Sequence, residues 1–124
     1  MVLSGNKADN RASAEEVAVK TIDCFKRSIP ASVPGIVFLS GGQGDEEATA
    51  NLDAINKRAN LVGAPWELSF SFGRGLQAAP LKAWSGNAEN MDKAKKAFYN
   101  RAKLTSAARN GLYVPSMEQE LSTV

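Results

Sequence analysis

The chain has no histidine and a single cysteine, Cys24. Without imidazole, no Ser/His/Asp or Cys/His pairing of nucleophile and base can be assembled. A zinc or iron site would have to be built almost wholly from carboxylates, so neither a metal nor a resident cofactor is expected. One thiol also excludes an intrachain disulfide, which makes a reducing, cytoplasmic setting the expectation. Cys24 itself falls among apolar helix residues and is expected to be buried and inert. No apolar run approaches the length that spans a bilayer, and no secretory h-region opens the chain. Net charge is small as well: 15 Lys and Arg against 13 Asp and Glu leave +2, with no long basic run. Neither a nucleic-acid partner nor a membrane partner is expected from that balance.

What is present suits one globular domain. The 124 residues are 44% hydrophobic and 23% charged, enough to bury a real core. Residues 1–11 carry Gly5, Asn6, Asp9 and Asn10 and read as a loop. Ser13-Ala-Glu-Glu16 has the spacing of a capping box, and Ala18, Ile22, Phe25 and Ile29 then share one helical face. Lys20, Lys26 and Arg27 lie toward the end where the helix dipole favours cations, and Pro30 and Pro34 stop the helix.

Ile36-Val-Phe-Leu39 is an unbroken apolar run, the pattern of a strand covered on both faces. Ser40 to Gly44 is a glycine-rich turn. Asp45, Glu46 and Glu47 then open a second helix with Ala48, Leu52 and Ile55 on its apolar face. The region from Lys57 to Pro65 reads as a connection. Trp66, Leu68, Phe70 and Phe72 alternate with polar residues, a strand with one bulky face. A short helix is expected over roughly Leu76 to Trp84, with Pro80 limiting its start, and a long one over Ala88 to Arg109, stopped by Asn110-Gly111. The order helix, strand, helix, strand, helix is α/β. Residues 1–111 form the packed segment, and residues 112–124, with Pro115 and no periodicity, read as a flexible tail.

Chemistry concentrates at the two strand ends. An anion gains most where backbone N–H groups converge near a helix N-terminus. Ser40, Gly41 and Gly42 offer a hydroxyl and two N–H groups free of side-chain obstruction. Ser71, Gly73 and Arg74 offer the same at the second strand, plus a two-pronged guanidinium. The expected ligand is a phosphate held between the two tips. Glycines after strands also serve as plain tight turns, and a lone arginine is most often a surface ion-pair partner. The pairing of two such tips carries the phosphate reading. Other features have simpler readings. The Asp45-Glu46-Glu47 cluster complements the helix start, Lys93, Lys95, Lys96 and Lys103 form a solvated face, and Trp66 and Trp84 are packing anchors.

Residues 33–43 (Val-Pro-Gly-Ile-Val-Phe-Leu-Ser-Gly-Gly-Gln), residues 46–56 (Glu-Glu-Ala-Thr-Ala-Asn-Leu-Asp-Ala-Ile-Asn), residues 65–77 (Pro-Trp-Glu-Leu-Ser-Phe-Ser-Phe-Gly-Arg-Gly-Leu-Gln) and residues 81–86 (Leu-Lys-Ala-Trp-Ser-Gly) resemble class I fructose-bisphosphate aldolase. The likeness runs from Met1 to about Pro115, in several long motifs in order. It implies the last part of a (β/α)8 barrel: helix 6, strand 7, helix 7, strand 8, helix 8 and a C-terminal helix. The implied reaction is reversible cleavage of fructose 1,6-bisphosphate to dihydroxyacetone phosphate and glyceraldehyde 3-phosphate, through a lysine Schiff base and without metal. Ser40, Gly41 and Gly42 match the family's loop after strand 7, and Ser71, Gly73 and Arg74 match the loop after strand 8. Together they would hold the phosphate on the dihydroxyacetone end of the substrate.

By the same resemblance, Met1-Val2 corresponds to the stretch just beyond strand 6, which puts the Schiff-base lysine upstream of this sequence. None of Lys7, Lys20, Lys57 or Lys82 matches its motif, so no catalytic residue is assigned here. The family's terminal tyrosine has no counterpart in Ser122-Thr123-Val124. Full-length members are usually homo-oligomeric. A barrel segment leaves strands without neighbours, and the apolar faces of Phe38, Phe70 and Phe72 are expected to lose cover. The expectation is a chain that self-associates or needs the N-terminal barrel part, inactive alone. A non-catalytic phosphate-binding or assembly module is the alternative reading.

Overall fold

The computed structural model describes residues 1–122. Seven elements follow in order: α1 (Ala14–Ser28), β1 (Gly35–Phe38), α2 (Asp45–Val62), β2 (Glu67–Phe70), α3 (Arg74–Trp84), α4 (Met91–Arg109) and α5 (Ser116–Ser122). A turn of 3-10 helix, Ala88–Asn90, leads into α4. Helix α1 begins as its sequence dictates. The Ser13 side chain accepts the Glu16 N–H while the Glu16 carboxylate accepts the Ser13 N–H.

The two strands are parallel, pairing Gly35 with Glu67, Ile36 with Leu68, Val37 with Ser69 and Phe38 with Phe70. A parallel pair needs a crossover, which α2 supplies. This helix runs further than the sequence pattern suggests, through Val62. Ala59 continues the buried spacing of Ala48, Leu52 and Ile55, and no breaker intervenes before Gly63, whose φ of 68° closes the helix in the left-handed conformation. Helix α3 likewise starts at Arg74, ahead of the expected Leu76, and carries Pro80 inside it.

Helices α1 and α4 pack against α2. Ile22, Leu52, Ile55, Leu68, Leu104 and Ala108 meet in one core. Phe25 stacks on Phe38 with ring centroids 5.8 Å apart and meets Trp66 edge-on at 6.1 Å. Trp66 is buried as an anchor and donates its indole N–H to the Pro30 carbonyl at 2.9 Å, whereas Trp84 stays exposed. The helices cover one face of the sheet only. Phe38 is buried, but its neighbours in sequence Val37 and Leu39 are 62% and 71% exposed. This corrects the two-face expectation for Ile36 to Leu39. It also corrects which residues lack cover: Phe38 and Phe72 are buried and Phe70 half-buried, because they point toward the helices.

Two further expectations change. Cys24 is exposed, lying toward the C-terminal end of α1 beyond its buried residues Val17, Ala18, Thr21 and Ile22. The stretch after Leu112 is also not without structure. Arg101, 5% exposed, donates to Glu118 Oε2 at 2.6 Å, to Thr49 Oγ1 at 2.7 Å and to the Asp45 carbonyl at 3.1 Å, tying α5 and α2 to α4. Tyr113 donates its hydroxyl to Glu118 at 3.0 Å, and its backbone N–H reaches Asp53 at 2.9 Å. Burial first, and the neighbouring Glu118 carboxylate second, push the Tyr113 phenol well above its ordinary range. Residues 123 and 124 lie outside the described residues. Among the described residues, no helix is long and apolar enough to cross a membrane.

Candidate functional site

Beyond the last strand pair, Ser71 N–H donates to the Phe38 carbonyl at 2.8 Å, so the two chains leave the sheet side by side. The β1 tip then turns through Ser40 to Gln43, closed by the Gln43 N–H on the Ser40 carbonyl at 3.0 Å. Gly41 and Gly42 occupy φ of 38° and 80° in that turn, a region costly for residues with a Cβ. The β2 tip passes Gly73, which serves as the N-cap of α3.

A buried contact joins the two tips. Gly75 N–H donates to Ser40 Oγ at 3.2 Å. A Cβ on Gly75 would lie 3.1 Å from Ser40 Cβ and 3.2 Å from Phe72 Cδ2. Glycine at this position therefore lets the start of α3 sit against the β1 tip. Ser40 is 4% exposed. Its oxygen is taken by Gly75, and its hydroxyl proton remains as a donor.

The six residues singled out from sequence are distributed as follows. Ser40 is buried between the tips, while Gly41, Gly42, Ser71, Gly73 and Arg74 are exposed around it. Arg74 is the first residue of α3 and takes part in no ion pair among the described residues. The backbone N–H groups of Gly41, Gly42, Gly73 and Arg74 likewise make no hydrogen bond among the described residues. The arrangement thus offers several unpaired N–H donors, a helix start and a guanidinium at one end of the sheet, a chemistry suited to an anion rather than a cation. No group of three or more His, Cys, Asp or Glu side chains able to hold a metal occurs among the described residues. An apolar groove of about 450 Å³ lined by Ala18, Ala54, Leu61 and Tyr113 includes none of the six. The tips form an open surface beside the uncovered Val37 and Leu39.

Three residues at the tips were not picked out from sequence: Gly75, Gln43 and Asn51. Gly75 was visible as the second glycine of Gly-Arg-Gly, but nothing local says that Ser40 approaches it. Asn51 Nδ2 donates to Gln43 Oε1 at 2.8 Å, and both side chains are buried. The available signal was a polar residue inside the helical stretch beside Leu52.

Comparison with known proteins agrees with the motif resemblance. The family profile described as fructose-bisphosphate aldolase class-I matches residues 1–123. The non-muscle type fructose-bisphosphate aldolase of Lethenteron camtschaticum is 48% identical over 116 residues, covering 94% of this chain and 31% of that protein. The cytosolic fructose-bisphosphate aldolase 4 of Arabidopsis thaliana is 51% identical over 114 residues, covering 91% of this chain and 28% of its own length. Among solved structures, the Plasmodium falciparum aldolase crystallised with TRAP and a small-molecule inhibitor superposes with a TM-score of 0.82 at 40% identity, over 90% of this chain and 31% of that one. The chain therefore spans under a third of the length of these relatives. Its two parallel strands and five helices correspond to part of an aldolase TIM barrel, and the chain belongs to the class I fructose-bisphosphate aldolase family.

Proposed function

We propose that this chain is the C-terminal part of a class I fructose-bisphosphate aldolase barrel, from helix 6 through strands 7 and 8 to the C-terminal helix. Its two strand tips supply the pocket for the phosphate on the dihydroxyacetone end of fructose 1,6-bisphosphate. The observation that carries this reading is the Ser40 Oγ to Gly75 N–H contact at 3.2 Å, which holds the loop after β1 against the start of α3. In that setting Gly41, Gly42 and Gly73 N–H groups donate to phosphate oxygens. The Ser40 and Ser71 hydroxyls add neutral donors, and the Arg74 guanidinium supplies a charge-assisted pair.

Cleavage by a Schiff base needs a lysine in its motif, and no lysine of this chain lies in one, so the isolated chain binds the phosphate without turning substrate over. A cytosolic site of action follows the Arabidopsis relative's name. The uncovered Val37 and Leu39 face is the surface on which the rest of a barrel, or a second copy, packs.

Titration of the 124-residue chain with inorganic phosphate and with dihydroxyacetone phosphate tests the site. Saturable binding that Arg74→Ala weakens supports it. Unchanged thermal stability at millimolar phosphate speaks against it, because a ligand of the native state must raise that stability. Borohydride treatment in the presence of dihydroxyacetone phosphate is expected to leave no covalent adduct.

A further inference from the structure

We infer that Gln43, braced by Asn51, is a positioning residue that aims the Gly41 N–H at the bound phosphate; the inference rests on the phosphate reading of the strand tips. The turn from Ser40 to Gln43 is already closed by a backbone bond, Gln43 N–H to the Ser40 carbonyl at 3.0 Å. The Gln43 side chain adds a second donor to the same oxygen, Nε2 at 2.9 Å. Closing the turn does not require it.

What it adds is control of one peptide plane. The Ser40 carbonyl and the Gly41 N–H belong to the same trans peptide group and point in opposite directions. Two donors on the carbonyl hold it toward the buried side, so the Gly41 N–H is held toward the open side. The following two residues are glycines at positive φ, where rotation of a peptide plane meets little steric resistance. A second donor therefore has something to restrain. It also polarises the peptide and makes its N–H the stronger donor.

The orientation of the Gln43 amide is itself fixed. The Ser40 carbonyl can only accept, which puts Nε2 there and leaves Oε1 for Asn51 Nδ2 at 2.8 Å. Gln43 is 8% exposed and Asn51 4% exposed, so water cannot readily substitute for either. Nε2 has its remaining neighbour in Met1 Sδ at 3.7 Å. Helix α2, through Asn51, thus sets the geometry of a donor it never touches.

The test uses the full 124-residue chain with inorganic phosphate as probe, comparing wild type, Gln43→Leu and Gln43→Glu. The readouts are phosphate affinity, thermal midpoint, and the residual dipolar coupling of the Gly41 N–H in the absence of ligand. Gln43→Leu is expected to change the Gly41 coupling and to weaken phosphate binding by about tenfold or more, the range carried by one hydrogen bond to a charged group. Gln43→Glu keeps the shape but turns the donor into a carboxylate. It is expected to bind weakly when ionised and to recover toward wild type when protonated, a pH dependence that a loss of packing would not produce. If Gln43→Leu does not fold, Gln43→Glu carries the test alone. Phosphate affinity and Gly41 coupling unchanged in a folded variant overturn the inference while leaving the phosphate site intact. No phosphate binding by wild type overturns the site itself.

Discussion

Ser40 and Gly75 meet at 3.2 Å, hydroxyl oxygen to backbone N–H, across two chain segments that the sheet alone does not join. The contact sits where a side chain on Gly75 has no room, 3.1 Å from Ser40 Cβ. Gly75→Ala is therefore expected to overpack the joint and cost about 1–3 kcal/mol. Ser40→Ala leaves the buried Gly75 N–H without a partner and is expected to cost about 1–3 kcal/mol by a different route. Denaturant unfolding of both variants checks the pair. Because both act on one contact, the double variant should be less destabilised than the sum.

Arg74 separates binding from stability. It is exposed and takes part in no ion pair among the described residues, so Arg74→Ala is expected to shift unfolding free energy by no more than about 0.5 kcal/mol. Its effect on phosphate affinity should be far larger. Arg74→Lys keeps the charge and loses the planar fork, so it is expected to bind with intermediate affinity. Calorimetric titration of the three proteins tests the order.

Element type was largely legible in the sequence, and tertiary cover was not. Ser13 and Glu16 announce α1 because a capping box is a local hydrogen-bond device. The alternation from Trp66 to Phe72 announces β2 for the same reason, a period readable within a few residues. Val37 and Leu39 look like core residues to any local reading. Their exposure depends on which elements lie over that face, which four apolar residues in a row cannot encode. Cys24 misled because it follows the buried Val17 by about two helical turns on the same side of α1, and still emerges exposed. Arg101 was passed over among the lysines of α4, yet it is the one buried cation of that helix. Its partners lie 17 and 52 residues away. At the strand tips the glycines were legible as backbone donors. The Gln43 and Asn51 brace was not, because its meaning depends on a carbonyl that only the folded turn presents.

That buried cation makes a further prediction. Arg101→Met removes the donors to Glu118, Thr49 and the Asp45 carbonyl together and leaves Glu118 without its charge partner. Breaking a buried pair from one side costs about 3–5 kcal/mol. Helix α5 should detach first, since Glu118 is its tie to both Arg101 and Tyr113. Amide exchange is expected to accelerate across residues 116–122 before the core of α2 responds. Uniform acceleration would show that α5 and the core unfold as one unit.

Tyr113 should give the chain an alkaline limit. Burial and Glu118 raise its phenol above the ordinary value of 10.0. A raised acid contributes stability that is fully present below pH 10 and is lost as pH climbs beyond it, because the unfolded chain releases the proton first. Unfolding free energy is expected to be flat in this respect up to about pH 9 and to fall above pH 10. The comparison is with Tyr113→Phe, which removes the phenol and nothing else that ionises. That variant loses the hydroxyl bond to Glu118, at a cost of about 1 kcal/mol near neutrality. Its stability curve should fall less steeply above pH 10.

The uncovered sheet face sets the association behaviour. Two parallel strands are too few to be stable without further cover, and here only one face is packed. On the other, Val37 and Leu39 are 62% and 71% exposed, and both strands have an unpaired edge in the two-stranded sheet. Open edges beside apolar residues pair with whatever strand is available. The isolated chain is therefore expected to sediment as a concentration-dependent dimer or larger species. Val37→Lys and Leu39→Lys place charge on the face and should shift it toward monomer. Neither side chain contributes to the helix-covered core, so the thermal midpoint of the monomer should change little. A sharp monomeric transition in the unsubstituted chain would mean that the helix layer alone suffices, and that the strand pair tolerates water on its open side.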